Sequence, residues 1–317
     1  MSRSWQIALM AGVVLATLGW STPAVAQACC AASQTGGPVR LSPGQVAALG
    51  VNADGRLYTG RFDGTTYRSQ QRNNLEWRQT LAGARQFGDS WQVGATVPFV
   101  QSRRAGGEIS EWGGGVGDVG VQARYELMAT GMSMSWPGIA LVGSVVAPTG
   151  RSPADSMQRG QTLLQSDVTG SGWWRVGLGG QVEWLKGRWF IAAELGASQA
   201  VLEGQAERTR QVTPLPALAG RLSAGRPVGA SWLWDGVLYL AGSLTVDQDL
   251  GDRIDGSWRS DTAERRVALQ LQAGGYVSQH WYLMVRGEYV PPIDGFGQNR
   301  YAGPAAGLTL RRVFYAN

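Results

Sequence analysis

Gly117-Asp-Val-Gly-Val-Gln-Ala-Arg-Tyr-Glu-Leu127 decides the fold, because apolar and polar residues alternate along it without interruption. A period of two sends successive side chains to opposite faces of a β-strand. One face carries Val119, Val121, Ala123, Tyr125 and Leu127, and the other carries Asp118, Gly120, Gln122, Arg124 and Glu126. A strand with one apolar and one charged face is typical of a transmembrane barrel, where it separates lipid from a wet lumen.

The same alternation recurs along the chain and predicts about twelve strands. They cover 55–66, 73–86, 91–103, 117–129, 138–148, 171–185, 188–203, 215–227, 232–246, 264–278, 281–291 and 302–316. Short and long connections alternate between them, as an up-and-down barrel with both termini in the periplasm requires. We therefore predict an all-β fold, a transmembrane antiparallel up-and-down β-barrel. Ten or fourteen strands would result if a weakly alternating segment, 55–66 or 215–227, were misassigned.

The ends of the chain define two further segments. Residues 1–26 contain a basic start with Arg3, an apolar run and Ala24-Val25-Ala26, which predicts a secretory signal peptide cut before Gln27. Residues 27–54 are polar and glycine-containing and are expected either in the periplasm or inside the lumen. Residues 55–317 are predicted to form the barrel. No later segment has the ~20 consecutive apolar residues that a membrane-spanning helix needs.

Composition agrees with this organisation. Charged residues make up 16% of the chain, with a net charge of +5 and no basic run, so nucleic-acid binding is not expected. The 46 glycines and 14 tryptophans fit barrel strands with aromatic girdles, although a secreted lectin-like sandwich could share this composition.

The polar side chains opposite the apolar faces are the candidate functional residues, because they would be costly against lipid. The candidate lumen-lining residues are Asp118, Gln122, Arg124, Glu126, Arg175, Glu183, Glu194, Arg266, Gln270, Arg286 and Glu288. Such charges either stabilise the interior by pairing with one another or line a path for solutes. Stability and transport predict the same residues, so the sequence does not separate the two roles.

Catalytic and metal-binding signals are weak. Cys29 and Cys30 are adjacent, and lipid attachment, a thiolate metal site, a vicinal disulfide and a link to another protein all compete with an incidental tail. His280, the only histidine, falls in a predicted periplasmic turn, opposite to where a hydrolase would need it. We therefore predict no catalytic, cofactor-binding or metal-binding residues, and no enzyme.

Two motifs resemble a known family. Gly115-Val-Gly-Asp-Val-Gly-Val-Gln-Ala-Arg-Tyr125 and Val145-Val-Ala-Pro-Thr-Gly150 are similar to segments of the outer-membrane transporters associated with the meta-pathway of phenol degradation. In that family a Gly-Asp opens an alternating strand, and the next strand often ends in Pro-Thr-Gly. The resemblance implies an outer-membrane barrel that takes up small, often hydrophobic or aromatic solutes. The chain departs from the usual aromatic last residue, because Ala316 and Asn317 follow Tyr315.

Together these patterns predict a porin-like channel in the outer membrane of a Gram-negative bacterium, for passive uptake of small, hydrophobic or aromatic solutes. Its expected partners are outer-membrane lipid, the barrel-assembly machinery and a small-molecule solute, with no cofactor and no nucleic acid. The alternative is a closed barrel with a structural or surface-interaction role. A barrel hydrolase is less favoured.

Overall fold

The computed structural model describes residues 40–42, 44–129, 136–160, 162–203, 212–230 and 237–316. The strands are β1 (Gln45–Asp63), β2 (Thr66–Phe87), β3 (Trp91–Gly106), β4 (Ile109–Val116), β5 (Val119–Met128), β6 (Gly138–Ala147), β7 (Trp173–Lys186), β8 (Trp189–Glu203), β9 (Val212–Pro214), β10 (Ala217–Ala230), β11 (Val237–Asp249), β12 (Asp252–Ile254), β13 (Ser257–Arg259), β14 (Glu264–Ser278), β15 (Trp281–Val290), β16 (Gly297–Gln298) and β17 (Tyr301–Tyr315). The helical elements are α1 (Pro153–Arg159) and a 3₁₀ turn (Ser260–Thr262). No helix in these ranges is long and apolar enough to cross a membrane.

Twelve of these strands form one closed antiparallel barrel. The order around the barrel is β1, β2, β3, β5, β6, β7, β8, β10, β11, β14, β15 and β17. Pairing of β1 with β17 closes the ring, with Leu49 opposite Arg312. Closure leaves no free edge around the ring, so backbone donors and acceptors there are paired with neighbouring strands.

Large apolar side chains cover the outside of the barrel, whereas the buried charged side chains lie inside it beside buried apolar clusters. Leu178 on β7 and Leu195 on β8 are 70% and 74% exposed, whereas Gln181 and Glu183 on β7 are buried. Charged side chains are stable in such an interior only where they are paired or hydrated. The predicted alternation therefore corresponds to two physically different sides of the barrel wall.

The two ends of the barrel differ. At one end, turns at 88–90, 187–188 and 279–280 join neighbouring strands. Gln45 lies at the same end because Ala47 pairs with Arg85 near the end of β2, and Tyr315 lies there because it pairs with Gln45. We call this the short-turn end. The opposite end carries β4, α1, β9, β12, β13 and β16, and we call it the long-loop end.

The twelve predicted strands are confirmed, and β14 has the predicted bounds. One boundary is wrong: the barrel begins at Gln45, so residues 45–54 of the predicted N-terminal segment are strand. Ala47, Ala48 and Gly50 weaken the contrast between the two faces there, which conceals the alternation. The expected connection at 67–72 is also strand, since the first turn lies at 64–65. The predicted signal peptide, Cys29 and Cys30 lie outside the described residues.

Candidate functional site

The described part of the chain encloses two adjoining cavities inside the barrel. The larger has a volume of about 510 Å³ and is bordered by Gln122, Arg124 and Glu194. The smaller has a volume of about 300 Å³ and lies toward the long-loop end, beside Tyr58 and Tyr301. Cavities of about 300–1,000 Å³ are the usual size of small-molecule sites.

One ion pair borders both cavities. Glu264 and Arg300 border both of them, and the Arg300 guanidinium contacts the Glu264 carboxylate. Both side chains are about two-fifths exposed, so they are accessible to solvent. The two cavities therefore adjoin at this partly hydrated ion pair.

Small residues make room for the larger cavity. Gly177 and Gly179 of β7 face the lumen beside Gly196 and Ser198 of β8. A Cβ atom at Gly177 would approach the Ser144 hydroxyl to 2.4 Å, and one at Gly179 would approach the Leu195 carbonyl oxygen to 2.7 Å. A side chain at Gly177 or Gly179 would therefore strain the sheet, whereas a Cβ at Gly196 would make an ordinary contact at 3.5 Å, so larger side chains at 196 and 198 would extend into the cavity.

One group of predicted lumen residues forms a hydrogen-bonded network toward the short-turn end of the barrel. The Arg124 guanidinium contacts Gln181 and lies 3.2 Å from the Glu126 carboxylate. The Gln181 amide donates to Glu183 at 2.8 Å and to Glu194 at 2.9 Å. These side chains come from three strands, β5, β7 and β8, so the network connects different parts of the wall.

A second group lies nearer the long-loop end. Arg266 is 3.2 Å from Asp247 and 3.4 Å from Glu288, and Arg286 donates to Asp54 at 2.9 Å. Asp54 and Asp247 are additional lumen residues. Sequence reasoning missed both because it placed 54 before the first strand and 247 in a loop, whereas β1 and β11 extend through them.

The remaining predicted residues occupy different places. Arg175 faces the larger cavity 4.0 Å from Asp249, and Gln122 borders the same cavity. Gln270 is buried on the inner face of β14, where its amide donates to Gln272 at 3.0 Å. All three therefore lie on the inner side of the wall.

Asp118 lies one residue before β5, and its carboxylate binds the long loop 148–172. One oxygen accepts from the Gly150 N–H at 3.0 Å, and the other accepts from the N–H and hydroxyl of Ser171 at 2.7 and 3.0 Å. These bonds use the carboxylate to hold the loop. The structure therefore assigns Asp118 an anchoring role and does not place it among the side chains that line the cavities.

The motif that ends in Pro148-Thr149-Gly150 contacts the motif that contains Gly117-Asp118 next to this loop anchor. The Thr149 hydroxyl donates to the Gly117 carbonyl at 2.7 Å and accepts from the Val119 N–H at 3.0 Å. Gly117-Asp118 and Thr149-Gly150, which are 32 residues apart, thus form one contact. The two motifs together attach the loop to the rim of the barrel.

Asp167 organises the interior of the same loop. Its carboxylate accepts hydrogen bonds from the Ser156 and Thr162 hydroxyls at 2.5 and 2.6 Å and from Arg151 at 2.6 Å. The Asp155 N–H donates to Ser152 Oγ at the start of α1, which fixes the helix that carries Ser156. Burial alone would raise the pKa of Asp167, but these hydrogen bonds lower it to about 2.

The loop is therefore expected to loosen in acid. Because the folded pKa of about 2 lies below the unfolded value of ~3.9, ionised Asp167 stabilises the loop above the unfolded pKa by about 2 kcal/mol. That stabilisation decreases as pH falls from about 4 toward 2. Hydrogen exchange of 152–168, corrected for intrinsic rates, should show the loss of protection. Asp167→Asn should have low protection already at neutral pH, and full protection of that variant would contradict the assignment.

The segment before β1 crosses the lumen at the short-turn end. Arg40 contacts Glu183 on β7, and the Arg311 guanidinium of β17 donates to the Arg40 carbonyl at 3.0 Å. The Leu41 N–H donates to Gln92 on β3 at 3.3 Å. Of the two locations expected for residues 27–54, residues 40–42 occupy the lumen. Residues 27–39 lie outside the described ranges.

Comparison with known proteins supports the architecture. No protein-family model matches the chain, and no curated protein matches it. An outer membrane channel from Pseudomonas putida F1 superposes with a TM-score of 0.68 at 15% identity, over 86% of this chain and 96% of that chain. This match confirms the barrel fold.

Two autotransporter barrels superpose less closely. The translocator domain of NalP from Neisseria meningitidis has a TM-score of 0.48 at 11% identity, over 98% of this chain and 95% of that chain. The beta domain of the Bordetella autotransporter BrkA also has a TM-score of 0.48, at 14% identity, over 85% of this chain and 100% of that chain. These superpositions are too loose to support an inference about function.

Proposed function

We propose that the protein is a channel of the bacterial outer membrane that admits small solutes by passive diffusion. The observation that carries this proposal is the polar lumen, which contains two adjoining cavities inside a barrel with an apolar outer face. A solute of moderate size fits the larger cavity without displacing the wall. The short-turn end would face the periplasm and the long-loop end the cell exterior.

The outer surface supports a membrane location. Four exposed tryptophans lie on strands near the short-turn end, where an aromatic girdle would contact lipid headgroups. They are Trp91, Trp184, Trp189 and Trp281. Between the two ends, exposed leucines and valines such as Leu178, Leu195 and Val121 provide the apolar band.

We further infer that the solutes include small aromatic compounds, and that the chain is related to the transporters associated with the phenol meta-pathway. The support is the contact between the Gly117-Asp118 and Thr149-Gly150 motifs, which gives both motifs of that resemblance one shared structural role. Tyr58 and Tyr301, whose ring centroids are 5.0 Å apart, provide aromatic surface beside the smaller cavity.

Enzyme chemistry is less well supported. His280, the only histidine, lies in the turn between β14 and β15, with its ring 5.8 Å from that of Tyr315. It is at the opposite end of the barrel from the loops that would bind an external substrate. A closed barrel is the stronger alternative, because residues 40–42 occupy the lumen at the short-turn end.

Single-channel recording of the refolded mature protein in a planar bilayer tests the proposal. We expect discrete conductance steps that a small aromatic solute reduces, because the solute would occupy the same lumen as the ions. Gly196→Leu, which adds a side chain toward the larger cavity, should lower the conductance. Gly180→Leu on the outer face of β7 is the matched control and should conduct as wild type does. A folded but silent wild-type barrel would favour the closed alternative.

A further inference from the structure

We propose that Arg40 forms the constriction of the channel and determines its ion selectivity. The inference rests on the proposed function and extends it to one residue that precedes the barrel. Arg40 borders the larger cavity, although it lies on the segment before β1 and belongs to no strand. A solute in that cavity therefore meets the Arg40 guanidinium on the way to the short-turn end.

The contacts of the segment come from separate parts of the wall. Arg40 pairs with Glu183 on β7, its carbonyl accepts from Arg311 on β17, and Leu41 binds Gln92 on β3. In the order of the barrel, β3 and β17 are separated by β1 and β2 on one side, and β7 lies beyond β5 and β6 on the other. A segment that touches all three must span the lumen.

Apolar packing of Leu41 also holds the segment 40–42 in place. Leu41 is 5% exposed and packs in a cluster of buried residues from β1, β2, β14, β15 and β17. That cluster contains Ala48, Ala82, Ala84, Tyr276, Tyr282, Met284 and Val313. Gln45 ties the start of β1 to the same region, because its amide donates to the Tyr276 hydroxyl at 2.6 Å. Leu41 thus packs into the apolar cluster, whereas the neighbouring Arg40 borders the larger cavity.

The proposed constriction contains two opposite charges that lie on different parts of the chain. Arg40 is on the segment, whereas Glu183 is fixed in β7. Both side chains are less than one-tenth exposed, so their charges are weakly screened. Removing Arg40 leaves the Glu183 carboxylate without that cation, and removing the charge of Glu183 leaves the Arg40 guanidinium beside the larger cavity without that anion.

This arrangement gives the two charge-removing variants opposite effects on selectivity. Arg40→Ala should raise single-channel conductance about twofold or more and shift the reversal potential in a salt gradient toward cations. Glu183→Gln should shift the reversal potential toward anions, although it breaks the same ion pair. A purely structural role of the pair would move both variants in the same direction.

The experiment is planar-bilayer recording of the full mature chain in a potassium chloride gradient, with heat-modifiable migration as the test of folding. Arg259→Ala is the control, because Arg259 lies on exposed β13 and pairs with Asp261 away from the lumen. It should leave conductance and reversal potential unchanged. Arg40→Gln, which keeps much of the side chain, replaces Arg40→Ala if the latter fails to fold.

The outcomes separate this inference from the channel proposal. Opposite shifts of reversal potential in the two variants would support it. A conducting wild type whose conductance and reversal potential are unchanged by loss of Arg40 would overturn the role of Arg40 and leave the channel function intact. Folded barrels that are silent both with and without Arg40 would overturn both proposals.

Discussion

Replacing Leu195 with arginine is expected to lower the free energy of unfolding in lipid by about 2–4 kcal/mol. Leu195 lies near the middle of β8 and is 74% exposed on the outer face. In a membrane this position would face hydrocarbon, where a guanidinium loses its hydration without gaining a partner. Urea titration in phospholipid vesicles would measure the loss of stability, and heat-modifiable migration would report the folded fraction.

The control places the same charge on the other side of the same strand. Ser198 lies three residues further along β8 and borders the larger cavity. Ser198→Arg should fold nearly as well as wild type because its guanidinium remains in a polar lumen. Equal stability of the two arginine variants would show that the exposed apolar face does not contact lipid.

Much of the barrel is predictable because one physical contrast governs every strand. Outward-facing and inward-facing positions alternate, so β14 is recognised from the alternation between Arg266 and Ala273, and its predicted bounds match the structure. The contrast fails where both faces carry small residues. Ala47, Ala48 and Gly50 give β1 too little difference between its faces, and its first ten residues are concealed.

Alternation predicts on which face of a strand a side chain lies, but it does not predict the partner of that side chain. It places Arg286 opposite the apolar face of β15, yet it gives no information about Asp54, the residue 232 positions away that Arg286 contacts. The Arg40–Glu183 pair similarly joins residues 143 apart. Such contacts depend on barrel closure and on the course of the N-terminal segment, and neither leaves a local pattern in the sequence.

Asp118 shows a second reason why the site cannot be predicted from sequence alone. It continues the polar face of the strand that follows it, so the alternation predicts that its side chain points into the lumen. The strand begins at Val119, and the carboxylate instead meets backbone N–H groups at 150 and 171. An anchoring role can be recognised from sequence only through the paired motif around Thr149, whose contact becomes evident in three dimensions.

Replacing Asp118 with alanine is therefore expected to release the loop 148–172 without unfolding the barrel. The change removes three hydrogen bonds to a carboxylate and leaves the Gly150 and Ser171 N–H groups without that acceptor. Hydrogen bonds to charged groups contribute about 1.5–3 kcal/mol each, but solvent can replace some of them at the rim, so we expect a net loss of about 2–3 kcal/mol. Hydrogen exchange at neutral pH should show lost protection across the loop while strands β1 and β17 keep theirs. Asp89→Ala, in the exposed turn at 88–90, is the control and should leave the loop protected. A loop that stays fully protected in Asp118→Ala would mean that the Thr149 contacts alone hold it.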